Sequence, residues 1–170
     1  MKKLAFALLL SVGVALPVSA SDMYIGLKLG SAKHDISVSG YSETASAVGF
    51  LGGYKLNKNV AFEAEVTSLG ALLNDTYKIS AVSVSVVGSL EVSEKASVFG
   101  KLGGAATREA NASGSLVSNA TGITLGFGGQ FDINQAVSLR LGWDHYTYGG
   151  TNGYYEGKAG MTSVSALFNF

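Results

Sequence analysis

The chain has 170 residues, no cysteine, a single proline (Pro17) and a formal net charge of zero. These values fit one domain without disulfides or thiolate metal sites, and the lack of a basic surplus gives no sign of nucleic-acid binding. With 23 glycines and 47% hydrophobic residues, the composition also differs from that of a disordered chain.

The first twenty residues have the features of a secretory signal peptide. Two lysines precede an apolar stretch, Leu4–Leu16, that is too short to span a bilayer, and small residues follow at Val18-Ser19-Ala20. We therefore expect cleavage after residue 20 and one domain over residues 21–170. This mature part contains ten basic and twelve acidic side chains.

After residue 20, apolar and polar residues alternate with a period of two in eight segments, as expected for β-strands with two different faces. In the fourth segment, for example, Val82, Val84 and Val86 alternate with Ser83 and Ser85. The eight predicted strands are Met23–Ser31, Ala45–Leu56, Val60–Leu69, Tyr77–Leu90, Ala96–Arg108, Ala120–Asp132, Val137–Tyr148 and Met161–Phe170.

The connections between these segments alternate in length. Three are short and polar: Asn57-Lys58-Asn59, Glu91–Lys95 and Ile133–Ala136. Four are longer and rich in Ser, Gly, Asn and Thr: Ala32–Thr44, Gly70–Thr76, Glu109–Asn119 and Gly149–Gly160. Short turns at one end and long loops at the other are typical of bacterial outer-membrane barrels.

Charged residues within the strands share one face, and the opposite face is rich in Val, Leu and Phe. The charged residues are Lys28, Lys55, Glu63, Glu65, Lys101, Arg140 and Asp144. A soluble eight-stranded barrel has the reverse arrangement, because its interior is apolar and its exterior is polar. The pattern predicts an all-β, eight-stranded antiparallel up-and-down transmembrane β-barrel with short periplasmic turns, longer extracellular loops and an interior too polar for a dry core.

An eight-stranded barrel is just wide enough to be filled by its own side chains, which argues against a general diffusion pore. Glu63 and Arg140 are each the fourth residue from the turn end of strands that face each other, so we expect them to meet in the lumen. We predict that a network of charged residues plugs the lumen. Its members are Lys28, Glu63, Glu65, Lys101, Arg140 and Asp144.

Aromatic residues cluster at both ends of the predicted strands. Four tyrosines lie at the loop end: Tyr146, Tyr148, Tyr154 and Tyr155. Five outward-facing aromatic residues lie near the turn end: Tyr54, Phe62, Phe131, Phe168 and Phe170. The second group predicts a periplasmic girdle at the membrane–water interface, where aromatic rings are favoured.

Several segments, in order, resemble the transmembrane domain of outer membrane protein A and the wider group of opacity-type and porin-like barrels. They are Met23-Tyr24-Ile25-Gly26-Leu27-Lys28-Leu29-Gly30, Gly52-Gly53-Tyr54, Phe62-Glu63, Lys101-Leu102-Gly103-Gly104, Leu139-Arg140-Leu141 and the terminal Phe168-Asn169-Phe170. The resemblance implies a lumen-blocking pair formed by Glu63 and Arg140. The family's second pair, Lys with Glu, is not matched, because Val87 and Gln130 occupy those positions.

Three functions are compatible with these features. The first is a structural or porin-like membrane protein, with outer-membrane lipids and lipopolysaccharide as partners and with Phe168 and Phe170 as an assembly signal for the barrel-assembly machinery. The second is an adhesin that binds a host or surface ligand through its loops, where Tyr41, Tyr154 and Tyr155 lie.

The third function is an enzyme that modifies lipid A. His145 and Thr147 would share an outer face, but Asp144 points the other way and no serine has the required spacing. His34 and Asp35, placed in the first long loop, are too few for a metal site. We therefore predict a non-enzymatic protein with no catalytic, cofactor-binding or metal-binding residues.

Overall fold

The protein is an antiparallel β-barrel of eight strands in this computed structural model, which describes residues 22–36, 41–72, 76–111, 113–149 and 156–170. Each strand pairs with its neighbours in sequence, and the first pairs with the last. The strands are β1 Met23–Ile36, β2 Tyr41–Lys55, β3 Val60–Leu72, β4 Tyr77–Ser93, β5 Ala96–Asn111, β6 Leu116–Asp132, β7 Val137–Gly149 and β8 Glu156–Asn169. The predicted fold class is confirmed.

The predicted signal peptide, residues 1–20, lies outside the described residues, so its cleavage stays a prediction. No helix in the part of the chain that the structure describes is long and apolar enough to cross a bilayer.

The closed sheet satisfies the backbone hydrogen bonds that lipid could not satisfy. The β1–β8 ladder runs without a register shift from Tyr24 opposite Asn169 to Ile36 opposite Gly157. It is extended by the N–H of Phe170, which donates to the carbonyl of Met23 at 2.9 Å.

The strands have 13 to 17 residues, more than the ~9–11 that a tilted strand needs to cross a membrane. The extra residues lie mainly at the loop end, where the long loops predicted from sequence are partly strand. The predicted loop Ala32–Thr44 is wrong at both ends, because β1 continues to Ile36 and β2 begins at Tyr41.

The predictions of loops over Glu109–Asn119 and Gly149–Gly160 are wrong in the same way. Strand β5 continues to Asn111 and β6 begins at Leu116, while β7 continues to Gly149 and β8 begins at Glu156. At the turn end, Glu91–Lys95 also differs from the prediction, because β4 continues through a register shift to Ser93.

Asparagine side chains build two of the three short turns. Asn57 Oδ1 accepts hydrogen bonds from the N–H groups of Asn59 and Val60, at 2.8 and 2.9 Å. Asn134 does the same for the N–H groups of Ala136 and Val137, both at 2.9 Å. The polar residues that mark these turns in the sequence thus supply the acceptors that close them.

The two faces of the sheet exchange polarity partway along the strands, and we call this level the polarity switch. On the outer face, the apolar band ends at Leu29, Val48, Val66, Val82, Ile123 and Val164. The next residues towards the loop end on that face are Ser31, Ser46, Ser68, Ser80, Thr121 and Thr162. Since the first set favours hydrocarbon and the second set favours water, we interpret the switch as the extracellular edge of the membrane's apolar layer.

On the loop side of the switch most buried side chains are apolar, with His34 and Thr107 as buried polar exceptions. We call the buried apolar residues of this half the upper core: Ala32, Ala47, Leu69, Leu72, Ile79, Ala81, Ala105, Tyr146, Ala159 and Met161. The expectation that the inner face is too polar for a dry core is therefore wrong for this half of the barrel. Here water surrounds the barrel, so burial inside it is the way to remove apolar side chains from solvent.

Candidate functional site

Charged side chains form a layer across the interior, between the upper core and a second apolar cluster near the turn end. The second cluster, the lower core, consists of Tyr24, Leu51, Ala61, Val87, Phe99 and Leu167. The charged layer brings together three acidic and three basic side chains that are each at most 7% exposed: Lys28, Glu63, Glu65, Lys101, Arg140 and Asp144. These are the six residues that the sequence predicts for the lumen.

Glu65 is the most connected member of the layer. Its carboxylate accepts hydrogen bonds from the ammonium groups of Lys28 at 2.6 Å and Lys101 at 2.9 Å. It also accepts from the hydroxyls of Thr67 at 2.5 Å and Tyr146 at 2.7 Å. Buried carboxylates need partners of this kind, because an unpaired buried charge is strongly destabilising.

Tyr146 lies on the loop side of the polarity switch, as its grouping with the loop-end tyrosines predicts, but the sequence analysis does not place its side chain inside the barrel. Its ring is fully buried in the upper core and its hydroxyl reaches down to Glu65. The alternation of β7 contains the signal that could have placed it, since Tyr146 shares a face with Asp144 and Arg140.

Asp144 binds the same two lysines from the opposite side. Its carboxylate lies 2.5 Å from Lys28 Nζ and 2.8 Å from Lys101 Nζ. Together with Glu65, it forms a closed arrangement in which two carboxylates share two ammonium groups. A Cβ added to Gly126 would overlap Asp144 Oδ1, so glycine at this position leaves the space that the ion pairs occupy.

Glu63 and Arg140 form the turn-side part of the layer. Arg140 Nη1 donates to Glu63 Oε2 at 2.6 Å, and the hydroxyl of Tyr24 donates to the same oxygen at 2.9 Å. The guanidinium also lies over the ring of Phe99, 4.6 Å from its centroid. Lys101 Nζ is 3.7 Å from Glu63 Oε1, which connects this pair to the other four charges.

The positions of the resembled family's second charged pair are occupied by Val87 and Gln130, and these two side chains make different contacts. Gln130 Oε1 accepts hydrogen bonds from Arg140 Nε at 3.3 Å and Nη2 at 3.1 Å. Val87 is buried in the lower core. Gln130, where the resembled family has a carboxylate, thus supplies a neutral acceptor for the Arg140 guanidinium.

Little space remains within the layer, and more remains below it. The cavity among the charged side chains has a volume of about 10 Å³. Towards the turn end, a vestibule of about 430 Å³ opens between the turns, and Tyr24, Val87, Arg140 and Leu167 contribute to its inner wall.

The five aromatic residues of the predicted girdle lie at the turn end of the outer face. Tyr54 is half-buried and pairs directly with Phe62 on the next strand. Phe62, Phe131, Phe168 and Phe170 are between 47% and 58% exposed. Their role as a membrane anchor, and that of Phe168 and Phe170 as an assembly signal, stay predictions.

Among the residues considered for catalysis, the acid is not brought to the histidine. His145 is half-buried and stacks on Trp143, with ring centroids 5.9 Å apart, while Asp144 points inwards to Lys28 and Lys101. Among the described residues, no three His, Cys, Asp or Glu side chains lie close enough to hold a metal ion.

His34 is not in a loop, contrary to the sequence prediction. It is buried inside β1, with Nε2 2.9 Å from the carbonyl oxygen of Leu69. Tyr154 and Tyr155 lie outside the described residues, as does the side chain of Tyr41, so the structure does not test them as a binding surface.

Comparisons with known proteins identify the family. The family described as "Outer membrane protein beta-barrel domain" matches residues 4–170. No curated protein matches the chain.

Among solved structures, Neisserial surface protein A (NspA) is 17% identical with a TM-score of 0.75, over 87% of this chain and 97% of that one. The N-terminal β-barrel domain of Pseudomonas aeruginosa OprF is 15% identical with a TM-score of 0.56, over 85% and 97%. Ail, the attachment invasion locus protein of Yersinia pestis, was solved with the heparin analogue sucrose octasulfate; it is 15% identical with a TM-score of 0.53, over 86% and 99%. These identities show a shared fold, and the family match over almost the whole chain shows that the protein belongs to the outer membrane protein β-barrel domain family.

Proposed function

We propose that the protein is a structural component of the outer membrane whose lumen is closed to ions and solutes by its own side chains. The observation that carries this proposal is the charged layer, in which six buried ionised groups are mutually paired around a cavity of about 10 Å³. A permeating ion would have to break these contacts, and the layer holds no row of free polar groups to replace its hydration shell.

The upper core supports the same conclusion on the extracellular side. Leu69, Ile79, Met161 and Tyr146 are at most 1% exposed. An apolar constriction resists wetting, so water and ions meet a second barrier beyond the charged layer. The vestibule at the turn end is therefore a blind cavity in this proposal.

The test is the conductance of the refolded mature protein in a planar bilayer. We expect no stable conductance steps from the wild type. Arg140→Ala should lower stability and permit brief openings, because it leaves Glu63 without its guanidinium partner. Lys58→Ala, which removes an exposed charge from a turn, serves as the matched control. A stable pore from the wild type would refute the closed lumen, as would an Arg140→Ala variant unchanged in both conductance and stability.

A second candidate function is binding of a surface ligand through the extracellular hairpins. The polarity switch favours it, because the sheet continues beyond the membrane with a polar outer face that a partner could contact. The similarity to Ail, an attachment invasion locus protein solved with a heparin analogue, agrees with this alternative. Replacing the hairpin residues 112–115 with a short Asn-Gly turn should then abolish cell attachment without altering the heat-resistant folded form. Unchanged attachment would count against this hairpin.

We also propose that the protein does not modify lipid A. A hydrolytic dyad needs an acid to orient its histidine, and the carboxylate next to His145 in sequence is engaged inside the barrel. Mass spectrometry of lipid A from cells with and without the protein should give identical spectra. A loss of acyl chains that depends on His145 would contradict the proposal.

Assembly by the barrel-assembly machinery is proposed to depend on Phe168 and Phe170. Phe170→Ala should reduce the amount of folded barrel in the outer membrane in cells. It should have little effect on refolding of the purified chain in detergent, which needs no machinery. An equal loss in both settings would assign these rings to stability instead.

A further inference from the structure

Two exposed basic side chains lie close together on the outer face, just beyond the apolar band. The β4–β5 register places Lys78 opposite Ala110 and Ser80 opposite Arg108. Lys78 and Arg108 are therefore diagonal neighbours, and such pairs are roughly 7–8 Å apart. Side chains of this length can converge on a single anion between them.

No carboxylate neutralises this basic pair within the described residues. Glu109 follows Arg108 in sequence but lies on the inner face of β5, where it is opposite the buried Ile79. The exposed Asp35 is on β1, where Lys33 lies 3.8 Å from it. Like charges held side by side on a sheet repel each other, so this arrangement favours an anionic ligand.

The position of the pair relative to the membrane indicates which anion. Ser80 is the first polar outer residue of β4 after Val82, the last residue of the apolar band on that strand. Arg108 lies between Ser80 on β4 and Asn119 on β6, in the same polar row. Lipid headgroups begin at this level. A guanidinium can bind a phosphate through two parallel hydrogen bonds, while the ammonium adds a point charge.

We propose that Lys78 and Arg108 bind a phosphate group of a lipid headgroup in the outer leaflet, with Ser80 and Asn119 as neighbouring hydrogen-bond donors. In a membrane whose outer leaflet is lipopolysaccharide, that group is a phosphate of lipid A. The site would attach the β4–β5 pair to the surrounding outer leaflet. This inference concerns the outer surface and is independent of whether the lumen conducts.

The test measures the melting temperature of the refolded protein in detergent micelles with added ligands. The variant is Lys78→Gln/Arg108→Gln. The matched control, Lys58→Gln/Lys95→Gln, removes two exposed basic side chains from the turn end. Diphosphoryl lipid A should raise the melting temperature of the wild type and the control, and the variant should lose most of this shift. Dephosphorylated lipid A and inorganic phosphate should produce little shift in any of them.

Each remaining outcome overturns the proposal in a recognisable way. An equal shift in variant and wild type would show that lipid A acts elsewhere. An equal shift with dephosphorylated lipid would assign the effect to acyl chains, and one with inorganic phosphate would indicate a free-anion site. A variant-sensitive shift with a sulfated oligosaccharide but not with lipid A would indicate a polysaccharide surface instead. If the double variant fails to fold, the single variants Lys78→Gln and Arg108→Gln replace it in the same assay, and an unchanged shift in both would overturn the proposal.

Discussion

Replacing Glu65 with alanine tests whether the charged layer stabilises the barrel. The substitution removes a carboxylate that lies 2.6 Å from Lys28 and 2.9 Å from Lys101. At an effective dielectric constant of ~20, each contact is worth about 6 kcal/mol of attraction before the cost of burying the charges is subtracted. Asp144 then remains in contact with both ammonium groups, and Glu63 lies 3.7 Å from that of Lys101.

The net effect should be a loss of about 3–5 kcal/mol in the free energy of unfolding, which is typical when one partner of a buried ion pair is removed. Urea unfolding in micelles measures it, and Trp143, the single tryptophan, is half-exposed on the outer face and reports the transition. Glu91→Ala, at an exposed position of the turn end, should change stability by no more than about 0.5 kcal/mol.

A double-mutant cycle separates ion pairing from the loss of packing. Glu65→Ala/Lys101→Met removes one charge of each sign, so it should cost clearly less than the sum of the two single substitutions. Strict additivity would refute the reasoning, because it would mean that Glu65 and Lys101 do not interact. A cost below ~1 kcal/mol for Glu65→Ala would refute it as well, because it would place the carboxylate among weakly coupled surface charges.

Three further predictions concern the packing of β5 against β4, the outer face of the sheet and the upper core. Gly103→Ala should prevent formation of the heat-resistant folded band on gels, because its Cβ would overlap the backbone of β4, whereas Gly104→Ala faces open space and should fold normally. Val84→Arg, in the apolar band, should cost ~2–4 kcal/mol in bilayer-inserted protein, whereas Ser68→Arg, at the first polar outer position of β3, should cost only ~0–1 kcal/mol. Equal costs would contradict the position of the polarity switch. Leu69→Ala should cost ~2–5 kcal/mol in urea unfolding, as in a packed core, and a negligible cost would indicate a wet interior instead.

The membrane-embedded half of the barrel could be predicted from the sequence because one rule holds throughout it. Residues such as Val84 face lipid and residues such as Glu65 face the interior, so a period of two identifies both the strands and the charged set. One partner of Glu63 could also be predicted, because Glu63 and Arg140 are each the fourth residue from the turn end of their strands.

The loop half could not be predicted by the same rule, because there the apolar side chains face the interior and the polar side chains face outwards. Ala32 and His34 face inwards, while Ser31 and Lys33 face water. A search for strands with apolar residues outside therefore assigns this segment to a polar loop. The alternation persists, but its sign changes at the polarity switch. Individual hydrogen bonds, such as that from Tyr146 to Glu65, depend on side-chain reach across the lumen, which a linear pattern does not contain.

The seam between β1 and β8 joins segments from opposite ends of the described sequence. This ladder joins the strands with the greatest separation in sequence, so its closure costs the most chain entropy and we expect it to form last. Until then, β1 presents an unsatisfied row of donors and acceptors that any extended peptide could use as a template. The time before barrel closure is therefore a period of aggregation risk, which ends when β8 pairs with β1.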